Sequence, residues 1–211
     1  MALSVAALST TVAVAPTAVI DDDPDGGKPH IELGTDEPGI RGLFRFSPDT
    51  AVPLNQLCDV LLCGPSTLSR GDRELIAAYV SALNQCTFCF STHAAFAALR
   101  LPAGMHLVEH VCADPDSAPV TEKLRGLLNI AGAVQLGGKH VSSAHIDAAR
   151  EAGATDREIH DTVLIAAAFC MFNRYVDGLN TTASTDPAHY AARAVRTEGY
   201  IAVLTDALRP P

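Results

Sequence analysis

Several kinds of residue are scarce in this chain, and each shortage excludes a class of protein. Tryptophan is absent, aromatic residues make up 5% of the 211, and only three residues are lysine. The 15 basic residues are outnumbered by 24 acidic ones, giving a net charge of −9, whereas nucleic acids and anionic membranes attract clustered positive charge. No apolar run approaches the roughly 20 residues that cross a bilayer. We therefore expect a globular cytoplasmic protein with no nucleic-acid or membrane partner.

The residues that are abundant favour helices. Hydrophobic residues make up 48% of the chain, and much of this fraction is alanine, which suits close-packed helices better than a β-rich interior. We predict an all-helical domain over residues 40–183, preceded by a flexible or subunit-crossing arm (1–39) and followed by a C-terminal helix (184–211). No basic residue precedes Lys28, so the arm lacks the charged start of a secretory signal.

Apolar periodicity and capping residues predict six or more helices within these bounds, with no strand pattern between them. The predicted helices run from near Pro53 to Gly64, from Ser69 to Leu83, over 87–100, 105–112, 122–135 and 142–153, and after the cap residue Asp186. Six cysteines in a chain of this length do not form a disulfide scaffold.

One helical segment is repeated later in the chain. Residues 72–89 and 156–173 align at an offset of 84, with Asp-Arg-Glu and Cys-x-Phe in the same register. Asn173 and Asp177 replace the second cysteine and the histidine of the first copy. We interpret this as an internal duplication in which only the first copy retains two thiols and a histidine. The two replacement residues are expected to shape a pocket or to form structural hydrogen bonds.

The segment "LNQCTFCFSTHAAF", residues 83–96, has the composition of a reactive dithiol. Residues three and four apart share a helix face, so Cys86 lies beside Cys89, and Cys89 lies one turn from His93. A helix N-terminus stabilises a thiolate, and an imidazole one turn away can accept the thiol proton. Cys89 is the predicted attacking thiol because it lies nearest the base, although the helix N-terminus favours Cys86.

Two other interpretations of these residues stay open. The pair could contribute to a zinc site, but a structural site needs four ligands and the chain has no second C-x-x-C. The cysteines and the histidine could also be ordinary buried residues.

A separate segment, "HLVEH" at 106–110, fits the H-x-x-E-H of inverted zinc proteases, although an exposed helix face explains it equally well. We predict no metal and no cofactor.

Glu74 is too far from the dithiol to act on it within a single straight helix. Twelve residues separate it from Cys86, which is about 18 Å along one helix. If the chain reverses near Asn84, however, Glu74 and His93 come level on two antiparallel helices to within roughly one turn. The carboxylate would then hold or charge the imidazole. The alternative is that Glu74 only complements the helix dipole.

The pattern of Glu74, Cys86, Cys89 and His93 resembles that of the alkylhydroperoxidase D-like, peroxidase-related branch of the carboxymuconolactone decarboxylase superfamily. The resemblance covers roughly residues 40–180. It implies an all-helical bundle of helical hairpins, a homotrimer or hexamer, and reduction of hydroperoxides by the two cysteines. The four residues are accordingly the candidate catalytic residues. In the best-studied branch a lipoyl-linked thiol reductant restores the dithiol.

One position departs from that branch. The residue before the second cysteine is a histidine in the lipoyl-linked proteins, and Phe88 stands here. This difference bears on peroxide turnover and on the electron donor. Decarboxylases of the superfamily generally lack the C-x-x-C, so its presence favours redox chemistry on a small-molecule substrate. A decarboxylase-like lyase or isomerase, or a dithiol redox sensor, is the alternative.

Overall fold

The computed structural model describes residues 27–196 and 198–200, and these fold as an all-helical bundle. The α-helices are α1 (Ile40–Phe46), α2 (Pro48–Cys63), α3 (Arg70–Leu83), α4 (Thr87–Arg100), α5 (Gly104–Ala113), α6 (Glu122–Leu136), α7 (Ser143–Glu151), α8 (Asp156–Asp177) and α9 (Pro187–Arg196). A 3₁₀ turn, Gly138–His140, follows α6. The described part of the chain contains no strand, and none of its helices is long and apolar enough to cross a membrane.

Helix α3 lies at the centre of the bundle, in contact with α4, α5, α6 and α8. Its core-facing residues, including Leu75, Ile76 and Val80, are fully buried, and Ala77 and Ala78 let neighbouring helices approach closely. The main hydrophobic core also includes Leu127, Leu128 and Ile130 of α6 and Ile165, Ala166 and Phe169 of α8. The alanine-rich composition therefore corresponds to close helix packing, as predicted.

Helices α3 and α4 form an antiparallel hairpin, which confirms the predicted reversal. α3 begins with a capping box in which Ser69 and Asp72 satisfy each other's backbone N–H groups. The turn is made by Asn84 and Gln85, and Gln85 takes a left-handed conformation with φ 61°. The Cys86 N–H then donates to the Ser81 carbonyl at 3.0 Å, and α4 begins at the next residue. This tight turn places the C-x-x-C at the N-terminus of α4.

The helix limits differ from the prediction in three places. α2 begins at Pro48 and not near Pro53, because Pro48 at the first helical position starts the helix and Pro53 is tolerated within it. The short helix α1 was not predicted. The C-terminal helix is observed as α9, which ends at Arg196, with Gly199 in non-helical backbone. Residues 1–26 of the predicted arm and residues after Tyr200 lie outside the described residues.

The two copies of the internal repeat fold differently after similar starts. α8 begins with a capping box formed by Thr155 and Glu158. It then continues for 22 residues without a break. The equivalent of the Asn84–Gln85 turn is an Ala-Phe pair, Ala168 and Phe169, which favours helix continuation. Only the first copy therefore forms a hairpin within the repeated segment.

Glu158, which aligns with Glu74 in the repeat, has a structural role at the start of α8. Burial raises the pKa of this carboxyl, but hydrogen bonds from Thr155, Lys123 and Thr67 outweigh burial and bring its pKa to about 2. Thr67 Oγ1 and Lys123 Nζ donate to its Oε1 at 3.0 and 2.9 Å. Glu158 thus connects the start of α8 to the loop before α3 and to α6.

We predict that Glu158→Gln lowers the free energy of unfolding at pH 7 by about 1–3 kcal/mol, because a buried ionised acceptor is lost. The folded pKa lies below the unfolded value of about 4.3, so the contribution is complete above that pH and declines as pH falls toward 2. Urea unfolding of the wild type and of Glu158→Gln should therefore show a difference in the free energy of unfolding that becomes smaller between about pH 5 and pH 2.5. Glu151→Gln, an exposed position on α7, is the control. An equal effect at both positions would contradict this role of Glu158.

Candidate active site

The α3–α4 hairpin brings Glu74 and His93 into contact, as the sequence predicted. His93 Nδ1 lies 2.8 Å from Glu74 Oε2, and neither side chain has substantial solvent exposure. A carboxylate can only accept, so Nδ1 carries the proton and the other ring nitrogen, Nε2, is left for chemistry. Phe169 packs edge-on against the imidazole with the ring centroids 4.5 Å apart. The buried carboxylate therefore fixes both the tautomer and the orientation of the ring.

Tyr200 completes this buried network and was not predicted. Its hydroxyl lies 2.9 and 3.1 Å from the two carboxylate oxygens of Glu74, to which it donates. Its ring stacks near His93, with centroids 5.9 Å apart and an interplanar angle of 25°. Burial, and then the charge of Glu74, raise the pKa of Tyr200 well above its usual value, so the hydroxyl stays a donor. No local spacing in the sequence connects Tyr200 with Glu74, which lies 126 residues earlier.

The two cysteines of the motif lie at the N-terminus of α4 in different environments. Cys86 is the N-cap residue and is completely buried, and Cys89 lies three positions on. The hydrogen bond from Cys86 to Cys89, together with burial, raises the pKa of the Cys86 thiol. The carboxylate of Asp177 is a second acceptor beside Cys86. Cys86 is therefore held as a donating thiol, and the helix N-terminus does not make it the thiolate.

A cavity opens beside Cys89 and not beside Cys86. Its volume is about 50 Å³. Cys89, Thr92 and His93 line it from α4, and the other lining residues are Ile40, Arg41, Phe44, Leu54, Asn55, Cys58, Phe88, Phe169, Phe172, Arg193 and Tyr200. A thiol and an imidazole thus share a small and mostly apolar space. Roughly three water molecules fill such an enclosed volume, which is enough for a peroxide group.

Phe88, which stands where the lipoyl-linked proteins have histidine, forms part of the cavity wall. Its ring packs edge-on against Tyr190 with centroids 6.3 Å apart. On the other side it lies so close to Gly39 that a Cβ there would come within 2.3 Å of the ring. Gly39 also has φ 60°, a conformation that glycine adopts readily. Phe88 therefore contributes apolar surface, and no proton carrier stands at this position.

Most of the other cysteines are unsuited to nucleophilic chemistry. Burial raises the pKa of Cys58 well above its usual value, and the charge of Glu74 raises it further. Burial also raises the pKa of Cys63 to about 11 and that of Cys112 to about 12. Cys170, the counterpart of Cys86 in the repeat, accepts from Asn84 Nδ2 at 3.6 Å.

The other residues that the sequence analysis singled out, His106, His110 and Asn173, lie outside this cavity. His106 is exposed on α5 and His110 is partly exposed, and within residues 27–196 and 198–200 no three potential ligands cluster as a metal site. Asn173 is buried, donates to Ser81 Oγ at 3.0 Å and accepts from Asn84 Nδ2 at 2.8 Å. It joins α8 to the end of α3, so structural hydrogen bonding is the role that the structure supports.

The model of the carboxymuconolactone decarboxylase family matches residues 48–101 and 102–183, which is most of the chain. The chain belongs to this family. No curated protein matches the chain significantly.

Two crystal structures support the fold. An uncharacterized peroxidase-related protein from Silicibacter sp. TM1040 is 25% identical and superposes with a TM-score of 0.66, covering 73% of this chain and 78% of that protein. The alkylhydroperoxidase AhpD core of an uncharacterized peroxidase-related protein from Ralstonia eutropha JMP134 is 23% identical with a TM-score of 0.66, covering 78% and 93%. The family member therefore has the alkylhydroperoxidase-like helical fold that the sequence predicted.

We predict that iodoacetamide at pH 8 modifies Cys89 before any of Cys58, Cys63, Cys86 and Cys112. The thiolate is the reacting species, and a pKa of about 11 leaves Cys63 about 0.1% ionised at this pH although it is only half buried. Peptide mapping over time measures the order in which the cysteines are alkylated. The control is the same reaction in denaturant, where all six cysteines should react at similar rates. Labelling of Cys86 before Cys89 would contradict the assigned environments.

Proposed function

We propose that this protein is a thiol peroxidase that reduces hydroperoxides with Cys89 and Cys86. One observation carries the proposal: Cys89 and His93 line the same cavity, while a buried carboxylate holds the imidazole from behind. A positioned base and an accessible thiol are the two requirements for activated sulfur chemistry. The presence of peroxidase-related proteins among the structural relatives supports the same class of reaction.

The reaction proceeds in two steps that balance within the protein and its substrate. His93 Nε2 accepts the Cys89 proton, and the thiolate sulfur attacks the distal oxygen of the hydroperoxide. The O–O bond breaks, the leaving alkoxide takes up the proton, and Cys89 becomes a sulfenic acid. The Cys86 sulfur then attacks Cys89, which releases water and leaves a disulfide between them. The peroxide is reduced by two electrons and the dithiol is oxidised by two.

Glu74 and Tyr200 act on this reaction through His93. When the imidazole accepts the thiol proton it becomes positively charged in a buried site, and the carboxylate 2.8 Å away stabilises that charge. Tyr200 holds the carboxylate in place by donating to it. Both are positioning residues under this proposal, and an external thiol supplies the two electrons that restore the dithiol. Because Phe88 offers no proton at the cavity wall, we do not assign that reductant to a lipoyl group.

We predict that His93→Ala slows peroxide-dependent oxidation of Cys89 by about 10²–10⁴-fold, the usual contribution of a general base. Glu74→Gln should slow it less, because the imidazole remains. Stopped-flow single-turnover kinetics with hydrogen peroxide measure the rates, and circular dichroism checks that each variant folds. His106→Ala, at the exposed histidine of α5, is the matched control. A rate within threefold of the wild type for His93→Ala would exclude the proposed base.

A lyase or isomerase reaction on a small metabolite is the second candidate, and the family supports it. The matched family takes its name from a decarboxylase. The Glu74–His93 pair could also transfer a proton of the substrate without any thiol. The two candidates differ in their dependence on sulfur. A metabolite conversion that survives complete alkylation of Cys86 and Cys89 would favour the lyase, whereas peroxide turnover lost on alkylation favours the peroxidase.

A further inference from the structure

Two polar groups on the wall of the Cys89 cavity have no hydrogen-bond partner among the described residues. They are Arg193 Nε, contributed by α9, and Thr92 Oγ1, contributed by α4. Thr92 is only 5% exposed and lies between Cys89 and His93 in sequence. Buried polar atoms are almost always satisfied in native proteins, so two unpaired atoms on residues that line one cavity indicate a missing polar ligand.

The charge of the cavity indicates the sign of that ligand. The chain is acidic overall, yet among the described residues the cavity is lined by Arg41 and Arg193 and by no aspartate or glutamate, while His93 is a neutral imidazole held by Glu74. Glu37 neutralises part of this charge, since it pairs with Arg41 and also with Arg45 Nη2 at 2.6 Å. Glu37 also attracts Arg193 electrostatically, but no carboxylate in the part of the chain that the structure describes forms an ion pair with it. The guanidinium therefore lies in a cavity with positive charge left over.

Arg193 is partly buried and its Nε is fully buried, which makes this arrangement costly without an anion. Burial, and then repulsion by Arg41, lower the pKa of Arg193 to about 10, so the group remains charged at neutral pH. A hydroxyl can be satisfied by water, but a guanidinium within apolar walls is best matched by an anion that accepts from its fork of N–H groups.

The rest of the wall indicates what the anion is attached to. Phe44, Leu54, Phe88, Phe169 and Phe172 surround the space with aromatic and aliphatic carbon. A planar monoanion on an apolar chain suits one guanidinium among such side chains, whereas a phosphate dianion needs more positive charge. The cavity of about 50 Å³ has room for a carboxylate group, and its open side leaves space for the apolar chain attached to that group.

We propose that Arg193 and Thr92 bind the carboxylate of the substrate in the cavity that contains Cys89, so that the preferred oxidant is an organic hydroperoxide bearing a carboxylate. The substrate assignment rests on the proposed peroxidase function, whereas the carboxylate site stands on the cavity alone. Cys89 sulfur attacks the distal peroxide oxygen, the O–O bond breaks, and the product is the corresponding hydroxy acid, formed once the alkoxide has taken up the thiol proton.

The first experiment measures binding without peroxide chemistry. Titration calorimetry with hexanoate, and with 1-hexanol as the neutral comparison, should show binding of the acid to the wild type at least about 10-fold tighter than of the alcohol. Arg193→Gln should remove that difference, and Arg193→Lys should retain part of it. Arg196→Gln, at the exposed arginine three residues on, should leave it unchanged. Equal binding of acid and alcohol by the wild type would overturn the carboxylate site.

The second experiment measures catalysis with matched substrates. Second-order rates of Cys89 oxidation are compared for ω-hydroperoxy acids of about four to ten carbons and for their methyl esters. The wild type should favour the best acid over its ester by about 10- to 100-fold, and Arg193→Gln should bring that ratio close to one. A ratio near one in the wild type contradicts the substrate assignment. If hexanoate binding depends on Arg193 but no hydroperoxide is reduced, the peroxidase proposal fails and the carboxylate site stands.

Discussion

The hydrogen bond between Glu74 and His93 depends on a reversal of the chain, and the remaining parts of the site are arranged around it. The two residues are 19 apart in sequence and would be far apart on one continuous helix. They meet because Gln85 adopts a left-handed conformation that turns α3 back as α4. The same turn places Cys86 at the N-cap and Cys89 one helical turn before His93. A single local turn therefore brings together the proposed base, the proposed attacking thiol and the proposed resolving thiol.

The position of Glu74 also constrains what surrounds it. A carboxylate without any solvent exposure needs compensating donors, and it has two, the imidazole of His93 and the hydroxyl of Tyr200. Its charge also helps keep the Cys58 thiol protonated, although that thiol lines the same cavity. Of the two thiols that line the cavity, Cys89 is therefore the one that we propose reacts.

The local parts of this site could be predicted from the sequence. These parts are the C-x-x-C, the histidine one turn on, the start of α3 at Ser69 and the reversal at Asn84. All depend on residues within a few positions of each other, where helix geometry determines the contacts. Tyr200 and Arg193 could not be predicted, because they reach the site from the C-terminal segment and share no spacing with it. The predicted start of α2 at Pro53 was wrong because an earlier proline, Pro48, also fits a first helical position.

The internal repeat shows one helical unit in two roles. In the first copy Glu74 contacts a histidine across a hairpin, and in the second copy Glu158 satisfies the start of α8 and binds Lys123. Asp177, aligned with His93, lies instead against Cys86. Residues that align in the two copies therefore do not occupy equivalent positions around the cavity. The second copy instead packs beside the first, with Asp177 against Cys86.

The most direct test of the account is a thiol count and disulfide map after one equivalent of peroxide. The account predicts that the reduced protein loses two of its six thiols, that the disulfide joins Cys86 to Cys89, and that Cys86→Ser instead accumulates a sulfenic acid at Cys89 that dimedone traps. A disulfide that includes Cys170, or a Cys89→Ser protein that forms a sulfenic acid at Cys86 at the wild-type rate, would contradict it.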